Sequence, residues 1–205
     1  MTPAFPRVFL LSPALIGGTR SSLLLRDQAE FDLAARLRHG QANIGEAYSF
    51  VSGLYFRGKL AYAKTFAAPP EGSPPVLIIV PGLGLVPPET LLDRDQLRRV
   101  GEVAVHPEND EFRSPLLRDA AMLAKGDATR FIFLGSIATR KYTDPLRMAL
   151  GETILVPSHF AGLGNMSRGS LLLRRAASND ELPYIHLGLE LHRKASLASE
   201  LLAKK

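Results

Sequence analysis

The sequence lacks cysteine and long hydrophobic runs. Without cysteine in 205 residues, disulfides, thiolate zinc sites, iron–sulfur clusters and a cysteine nucleophile are excluded. The longest apolar runs are about five to seven residues, too short to span a bilayer, so we predict no membrane segment. The apolar start of the chain can be interpreted as a signal peptide or as a strand entering a turn. We favour the strand, because Pro13 and Gly17-Gly18-Thr19-Arg20 follow it, and predict a cytoplasmic protein.

Several sequence patterns of known chemistry are also missing. The five histidines show no ligand spacing such as His-x-x-x-His, so we predict no metal site. The P-loop pattern is absent, and Gly82-Leu83-Gly84 lacks the third glycine of a dinucleotide fingerprint because Pro87 follows instead. No Gly-x-Ser-x-Gly elbow indicates a serine hydrolase. We therefore expect no cofactor, and a dinucleotide-dependent oxidoreductase is disfavoured.

The charge balance is mildly basic, with 25 Lys and Arg against 20 Asp and Glu and a net charge of +5. The basic residues are scattered and form no polybasic block. This excess favours anionic partners, including nucleic acid, although simple solubility explains it equally well.

Short apolar runs alternate with helical patterns along the chain, which is typical of stacked βα units. We predict an α/β protein: a three-layer Rossmann-like domain with a mostly parallel sheet of about five strands, covering residues 1–188. An amphipathic C-terminal helix is predicted over 189–205. The predicted strands are Val8–Leu11, Val76–Val80, Glu102–Val105, Phe131–Leu134 and Ile154–Val156.

Helix signals fall between these strands. The clearest is Asn43 followed by Glu46, a capping box. The predicted helices run from Ser21 or Ser22 to His39, from Asn43 to Phe66, from Glu89 to Arg99, from Pro115 to about Lys125, from Asp144-Pro145 onwards, and from Ser167 to Leu173.

Glycine-rich loops follow the predicted strands, at residues 12–20, 81–89, 135–142 and 158–169. In a parallel sheet such loops meet at the carboxyl edge, where α/β proteins bind ligands. Glycine lets backbone N–H groups face an anion, and Arg168 beside the cap Ser167 would strengthen such a site. The alternative is that the glycines only permit tight turns. The candidate ligand-binding residues in these loops are Ser12, Arg20, Gly84, Gly135, Ser136, Lys141, Gly162, Gly164, Asn165, Ser167 and Arg168.

A polar aromatic stripe runs along the predicted helix 43–66. It consists of Tyr48, Ser52, Tyr55, Lys59 and Tyr62 at helical spacing. Tyr55 and Lys59 are candidates for stacking on and hydrogen-bonding a base. Alternatively, the stripe marks the boundary between core and solvent.

Two residues are candidates for acid–base catalysis. His159 lies in the fourth loop beside Ser158, and Glu89 ends the second loop. A loop histidine without a catalytic role and a glutamate favoured by a helix dipole are the alternatives.

Three segments resemble an uncharacterised family of bacterial proteins of about this length. They are residues 50–62 (FVSGLYFRGKLAY), 134–142 (LGSIATRKY) and 164–174 (GNMSRGSLLLR). In that family Asp usually stands at the position of Asn165; if that Asp is catalytic there, this chain lacks the catalytic group.

A looser similarity links the chain to Rossmann-like YaaA-type proteins and to a domain of archaeosine synthase. It rests on the Gly-Leu-x-Pro-Pro turn at 84–88, the Tyr-x-x-Pro-Leu stretch at 142–146 and the glycine loop that runs from Pro157 to Gly164. Such relatives imply nucleic-acid or modified-base biology.

The leading hypothesis from these features is a protein that binds a nucleotide or nucleobase, and an enzyme that acts on a base or glycosidic bond is its more specific form. The alternatives are a nucleic-acid-binding module without catalysis and an interaction protein that oligomerises through the C-terminal helix. The sequence leaves the substrate and oligomeric state open.

Overall fold

The computed structural model describes residues 5–125, 129–137, 139–160 and 162–190. Its strands are β1 (Arg7–Leu11), β2 (Ala42–Asn43), β3 (Val76–Val80), β4 (Gly84–Val86), β5 (Leu91–Leu92), β6 (Arg130–Leu134), β7 (Ile154–Pro157) and β8 (Tyr184–His186). Its helices are α1 (Thr19–Leu24), α2 (Asp32–Arg38), α3 (Ile44–Ser52), α4 (Leu54–Phe66), α5 (Arg94–Glu102), α6 (Asp110–Leu123), α7 (Arg140–Leu150) and α8 (Asn165–Ala177), with short 3-10 helices at Gly151–Thr153 and Ser158–Phe160.

Six strands form the central sheet, in the order β4-β3-β1-β6-β7-β8. The four inner strands are parallel, whereas β4 and β8 pair antiparallel at the two edges. β1 lies between β3 and β6, with Leu11 opposite Ile78 on one side and Leu134 on the other. Strands β2 and β5 form a separate two-stranded sheet.

Helices cover both faces of this sheet and give three layers. Alternating residues of β1 divide between two hydrophobic clusters, with Phe9 in one and Leu10 in the other. α4 and α8 pack against each other over the first cluster, and α6 packs against α7 over the second. The prediction of a three-layer α/β domain with a mostly parallel sheet is confirmed.

The edges of the sheet differ from the predicted pattern of five strands, each followed by a helix. The turn after β3 leads directly into the antiparallel strand β4, and β8 completes the other edge. The predicted strand at 102–105 does not form, because α5 continues to Glu102 and the chain then turns towards α6. Both unexpected edge strands have three residues, which is too short for a periodic sequence signal.

The predicted helix 43–66 is two helices, α3 and α4, separated by Gly53. The capping box of Asn43 and Glu46 is confirmed. Gly53 has φ 60° and ψ −124°, a conformation that glycine adopts without steric cost, and it redirects the chain. The predicted first helix is likewise two helices, α1 and α2.

Other helix starts are also shifted from their predicted positions. α5 begins at Arg94 rather than Glu89, since Asp93 caps it. α7 begins before Pro145, and α8 begins before Ser167. Most of the C-terminal helix predicted at 189–205 lies outside the described residues. Within the described ranges, no helix is long and apolar enough to cross a membrane.

Two glycines set the close approach of α4 and α8. A Cβ on Gly58 would lie 2.6 Å from the carbonyl oxygen of Gly169, and a Cβ on Gly169 would lie 2.8 Å from the carbonyl oxygen of Leu54. Their sequence neighbours Lys59 and Arg168 are consequently held at the same helix crossing.

Candidate ligand-binding crevice

The strand order reverses at β1, because the strands that follow it in the chain lie first on one side of it and then on the other. The chain passes from β1 to β3 on one side and later reaches β6 on the other. Open α/β sheets bind ligands in the crevice beyond the carboxyl ends of such strands. Here the strand ends are joined by a hydrogen bond in which the Ser12 N–H donates to the Leu134 carbonyl, at 3.2 Å.

A cavity of about 200 Å³ lies over these strand ends. Residues 13–16 after β1, Pro81 after β3, and Lys141 and Tyr142 at the start of α7 line it. The end of α5 closes the remaining side, where Gly101 lies against Ile16. We call this space the edge cavity.

A second cavity of about 330 Å³ adjoins the edge cavity. The two share Pro81, Val100 and Val103. The larger space lies between the β3–β4 turn, β5 and α5, and most of its lining is apolar. We call it the apolar cavity.

Lys59 is buried directly beneath the loop that forms the edge cavity. Its side chain is 1% exposed. Nζ donates to the carbonyl oxygen of Ser12 at 2.5 Å and to its Oγ at 2.8 Å, and lies 4.8 Å from the ring centres of Tyr55 and Phe56. Burial lowers the pKa of Lys59 to about 7.

Arg168 is a second buried cation, 7% exposed, from the first turns of α8. Nε and Nη2 donate to the carbonyl oxygen of Phe160 at 3.3 and 2.9 Å, and the guanidinium lies 5.3 Å from the Phe160 ring centre. In the part of the chain that the structure describes, neither Arg168 nor Lys59 forms an ion pair with a carboxylate.

Three buried tyrosines lie in this region, and Tyr142 interacts electrostatically with both Tyr48 and Tyr55. The Tyr48 hydroxyl is buried and makes no hydrogen bond with any described residue. The buried Tyr55 hydroxyl faces the Arg168 guanidinium, without a hydrogen bond of normal geometry. Burial raises the pKa of Tyr48, and also that of Tyr55, where the positive charge of Arg168 partly offsets it. Burial and the neighbouring Tyr55 raise the pKa of Tyr142 to about 12. Because Tyr142 also lines the edge cavity, it connects that cavity with the buried polar groups.

Three helices that begin at this edge have no side-chain cap. The N-cap residues are Gly53 for α4, Thr139 for α7 and Gly164 for α8, and none accepts a capping hydrogen bond. Uncapped helix N-termini keep free N–H groups and a partial positive charge. The edge is therefore electropositive from its backbone as well as from its side chains.

The polar stripe proves to be part of the core. Tyr48, Tyr55, Lys59 and Tyr62 are all buried, so the interpretation as a core–solvent boundary is wrong for them. The break at Gly53 turns this face of α4 towards the sheet, where Tyr62 contacts Phe9 edge to face.

Residues of the second loop lie away from the edge cavity. Gly84 begins β4, and its backbone fits tightly against Asp119. Glu89 is exposed and forms an ion pair with Lys64 at 2.9 Å. Although partial burial acts to raise it, the hydrogen bond from Lys64 leaves the pKa of Glu89 below its usual value. The helix start predicted at Glu89 is absent, because α5 begins at Arg94.

The other loop candidates range from buried to exposed positions. Lys141 lies in the edge cavity with its Nζ 5.2 Å from the Tyr142 ring centre. Gly135 is buried against the Phe133 ring, and Ser136 is half-buried beside it. Arg20 is exposed and packs over Gly53. His159 is exposed as well, and its Nδ1 lies 3.2 Å from Ser158 Oγ. The other exposed candidates lie around the start of α8 and are Gly162, Gly164, Asn165 and Ser167.

Sequence reasoning selected Ser12, Lys59 and Arg168 separately but missed how they converge. It did not select Tyr48 or Tyr142 as ligand-binding residues. The signal for Lys59 was its place between Tyr55 and Tyr62 at helical spacing, which indicates a shared face without saying that the face is buried.

Comparison with protein-family models, with curated proteins and with solved structures finds no match for this chain. Among the described residues, no group of three His, Asp or Glu side chains is placed to hold a metal ion.

Proposed function

We propose that this protein binds a small anionic ligand, a nucleotide or a nucleobase derivative, over the carboxyl ends of β1 and β6. The observation that carries the proposal is the convergence of Lys59 and Arg168, both buried and without a carboxylate partner among the described residues. Lys141 and the N-terminus of α7 provide positive charge at the cavity surface.

The energetics of buried charge support this proposal. A cation taken out of water without a counter-charge is costly unless it loses its proton or acquires a partner. The lowered pKa of Lys59 reduces this cost because the side chain can lose its proton. An arginine cannot lose its proton at physiological pH. An anion above the edge would stabilise both charged forms through their electrostatic field.

A catalytic step on a base or glycosidic bond is the more specific form of the proposal. Lys59 is suited to it because an acid–base group works best when its pKa is near the operating pH. Its contact with Ser12 Oγ provides a route for a proton towards the loop that lines the edge cavity.

Isothermal titration tests the binding proposal with inorganic phosphate, ribose 5-phosphate, nucleoside 5′-monophosphates and free bases. We expect heat with at least one phosphate compound, and about tenfold weaker binding in Lys59→Met, a difference of ~1.4 kcal/mol. Lys64→Met is the matched control, since Lys64 is on the same helix but exposed. Absence of heat with every compound, in protein with an intact circular dichroism spectrum, contradicts the proposal.

A nucleic-acid-binding module is the second candidate function. Arg20 and Arg140 are exposed at the starts of α1 and α7, where both could contact a phosphate backbone. This alternative predicts a gel shift whose affinity falls steeply with salt, with a log–log slope that follows the number of phosphates contacted. Flat salt dependence would contradict it.

A further inference from the structure

The two cavities lie side by side and differ in the charged residues that line them, which are Lys141 in the edge cavity and Arg99 and Glu111 in the apolar cavity. Val100 and Val103, at the end of α5, contribute to the wall of both, together with Pro81. Lys141 and Tyr142 are the polar side chains that line the edge cavity, and its other lining residues are apolar or glycine. The apolar cavity extends towards β5 and the β3–β4 turn.

The volumes of the two cavities differ in a way that constrains the ligand. Small-molecule sites usually occupy about 300–1,000 Å³. The apolar cavity, at about 330 Å³, is within this range. The edge cavity, at about 200 Å³, is below it and is suited to one compact group such as a phosphate.

Most of the apolar cavity wall consists of flat or branched apolar side chains. They include Ile44, Val86, Leu91, Leu92, Val100 and Val103. Such walls suit an uncharged planar ring, which gains from burial of its faces and does not require a charged partner.

Three of the four polar side chains that line the cavity, those other than Thr90, provide both donors and acceptors. Arg99 and Glu111 are exposed and form no ion pair with a described residue. Gln96 uses its side-chain oxygen to accept the Asp93 N–H at 2.7 Å, which leaves its NH₂ group to donate. A nucleobase presents donors and acceptors along one edge, so this set can bind it in one orientation.

We infer that the ligand is a nucleoside monophosphate, with its base in the apolar cavity against Gln96, Arg99 and Glu111 and its phosphate in the edge cavity beside Lys141. This inference rests on the proposed function and adds the ligand class and its direction in the crevice.

The test compares ribose 5-phosphate with the nucleoside 5′-monophosphates of the four common bases, by isothermal titration on the full chain. We expect at least one nucleotide to bind more than about tenfold tighter than ribose 5-phosphate. Glu111→Gln should remove most of that advantage and leave ribose 5-phosphate binding unchanged. Glu108→Gln is its control, because Glu108 is a nearby exposed carboxylate outside both cavities.

Lys141→Met tests the direction of the ligand. It should weaken nucleotide and ribose 5-phosphate binding by the same factor, whereas Arg147→Met, on the exposed face of α7, should have no effect. Equal affinity for nucleotides and ribose 5-phosphate would overturn the base subsite while the proposed anion site survived. Loss of phosphate binding in Arg99→Met but not in Lys141→Met would overturn the direction. No binding of any compound would overturn both proposals.

Discussion

Tyr48 and Tyr62 belong to the same stripe, but their hydroxyls have opposite surroundings. The Tyr62 hydroxyl accepts the Leu182 N–H at 2.7 Å and contacts the Tyr184 hydroxyl at 2.9 Å. The Tyr48 hydroxyl is buried and makes no hydrogen bond with a described residue. A buried hydroxyl without a partner destabilises the fold, whereas a hydroxyl that satisfies a buried N–H stabilises it.

Removal of these two hydroxyls should therefore have different effects. Tyr62→Phe leaves the Leu182 N–H without its acceptor and should lower the free energy of unfolding by about 1–3 kcal/mol. Tyr48→Phe should leave the free energy of unfolding unchanged or raise it. Urea denaturation measures the free energy of unfolding of both variants. An equal decrease in the two would contradict the assigned contacts.

The same Tyr48 variant separates folding from ligand binding. If the unpartnered hydroxyl is kept for a ligand or its bound water, Tyr48→Phe should weaken nucleotide binding without lowering stability. A variant that is stable and binds normally would exclude Tyr48 from the site.

At the scale of elements, the crossing of α4 and α8 leaves no space for a side chain. Gly58→Ala places a methyl group 2.6 Å from the Gly169 carbonyl oxygen, so the helices must separate. Overpacking of this kind costs about 1–3 kcal/mol. Gly188→Ala is the control, since its Cβ would make only an ordinary contact, 3.6 Å from Glu152. Thermal unfolding should show a lower midpoint for Gly58→Ala alone.

The edge strand β4 depends on one carboxylate from α6. Asp119 Oδ2 accepts the Leu85 N–H at 2.8 Å. Asp119→Ala should release this strand locally, and the Leu85 amide should exchange with deuterium faster while amides of β1 keep their protection. Asp144→Ala, an exposed carboxylate on α7, should leave Leu85 exchange unchanged. Equal exchange in both variants would contradict this role.

The inner strands were predictable from sequence because each is a continuous apolar run. Val76–Val80 was predicted with the bounds that the structure gives. By contrast, β4 carries too few residues for a pattern and depends on Asp119, which is distant in sequence. Gly53 lies within a helical sequence pattern, and such a pattern does not show whether the glycine breaks the helix or is tolerated in it.

The region of the candidate site could be predicted from the sequence, but most contacts within the site could not. Parallel strands bring their following loops together, so Ser12 and Lys141 could be assigned to one edge from sequence. The burial of Lys59 depends on the rotation of α4 after Gly53 and on its close approach to α8. Neither is encoded in local residue spacing.

At the scale of the whole molecule, Lys59 should make stability depend on pH. Its pKa is about 7 in the native state, against about 10.4 in an unfolded chain. Between these values the unfolded chain binds a proton that the native protein lacks, so the free energy of unfolding rises with pH. Below pH 7 both states hold the proton and this contribution is constant.

Lys59→Met should lack this rise. Between pH 7.5 and 9.5, the free energy of unfolding of the wild type relative to Lys59→Met should increase by up to about 1.4 kcal/mol per pH unit. Denaturant titrations at several pH values measure the difference. The free energy of unfolding of Lys64→Met should vary with pH as that of the wild type does. If the curve of Lys59→Met were also parallel to that of the wild type, Lys59 would have to stay charged when buried.

The central place of β1 has a consequence for the protein during its synthesis. β1 is translated before both of its neighbours, and its partner β6 emerges only after Leu134. At about 5–20 residues per second, the nascent chain holds an apolar strand with two open edges for several seconds. Pairing between segments so distant in sequence is also intrinsically slow. We therefore expect β1 to keep at least one unpaired edge until β6 emerges and inserts beside it.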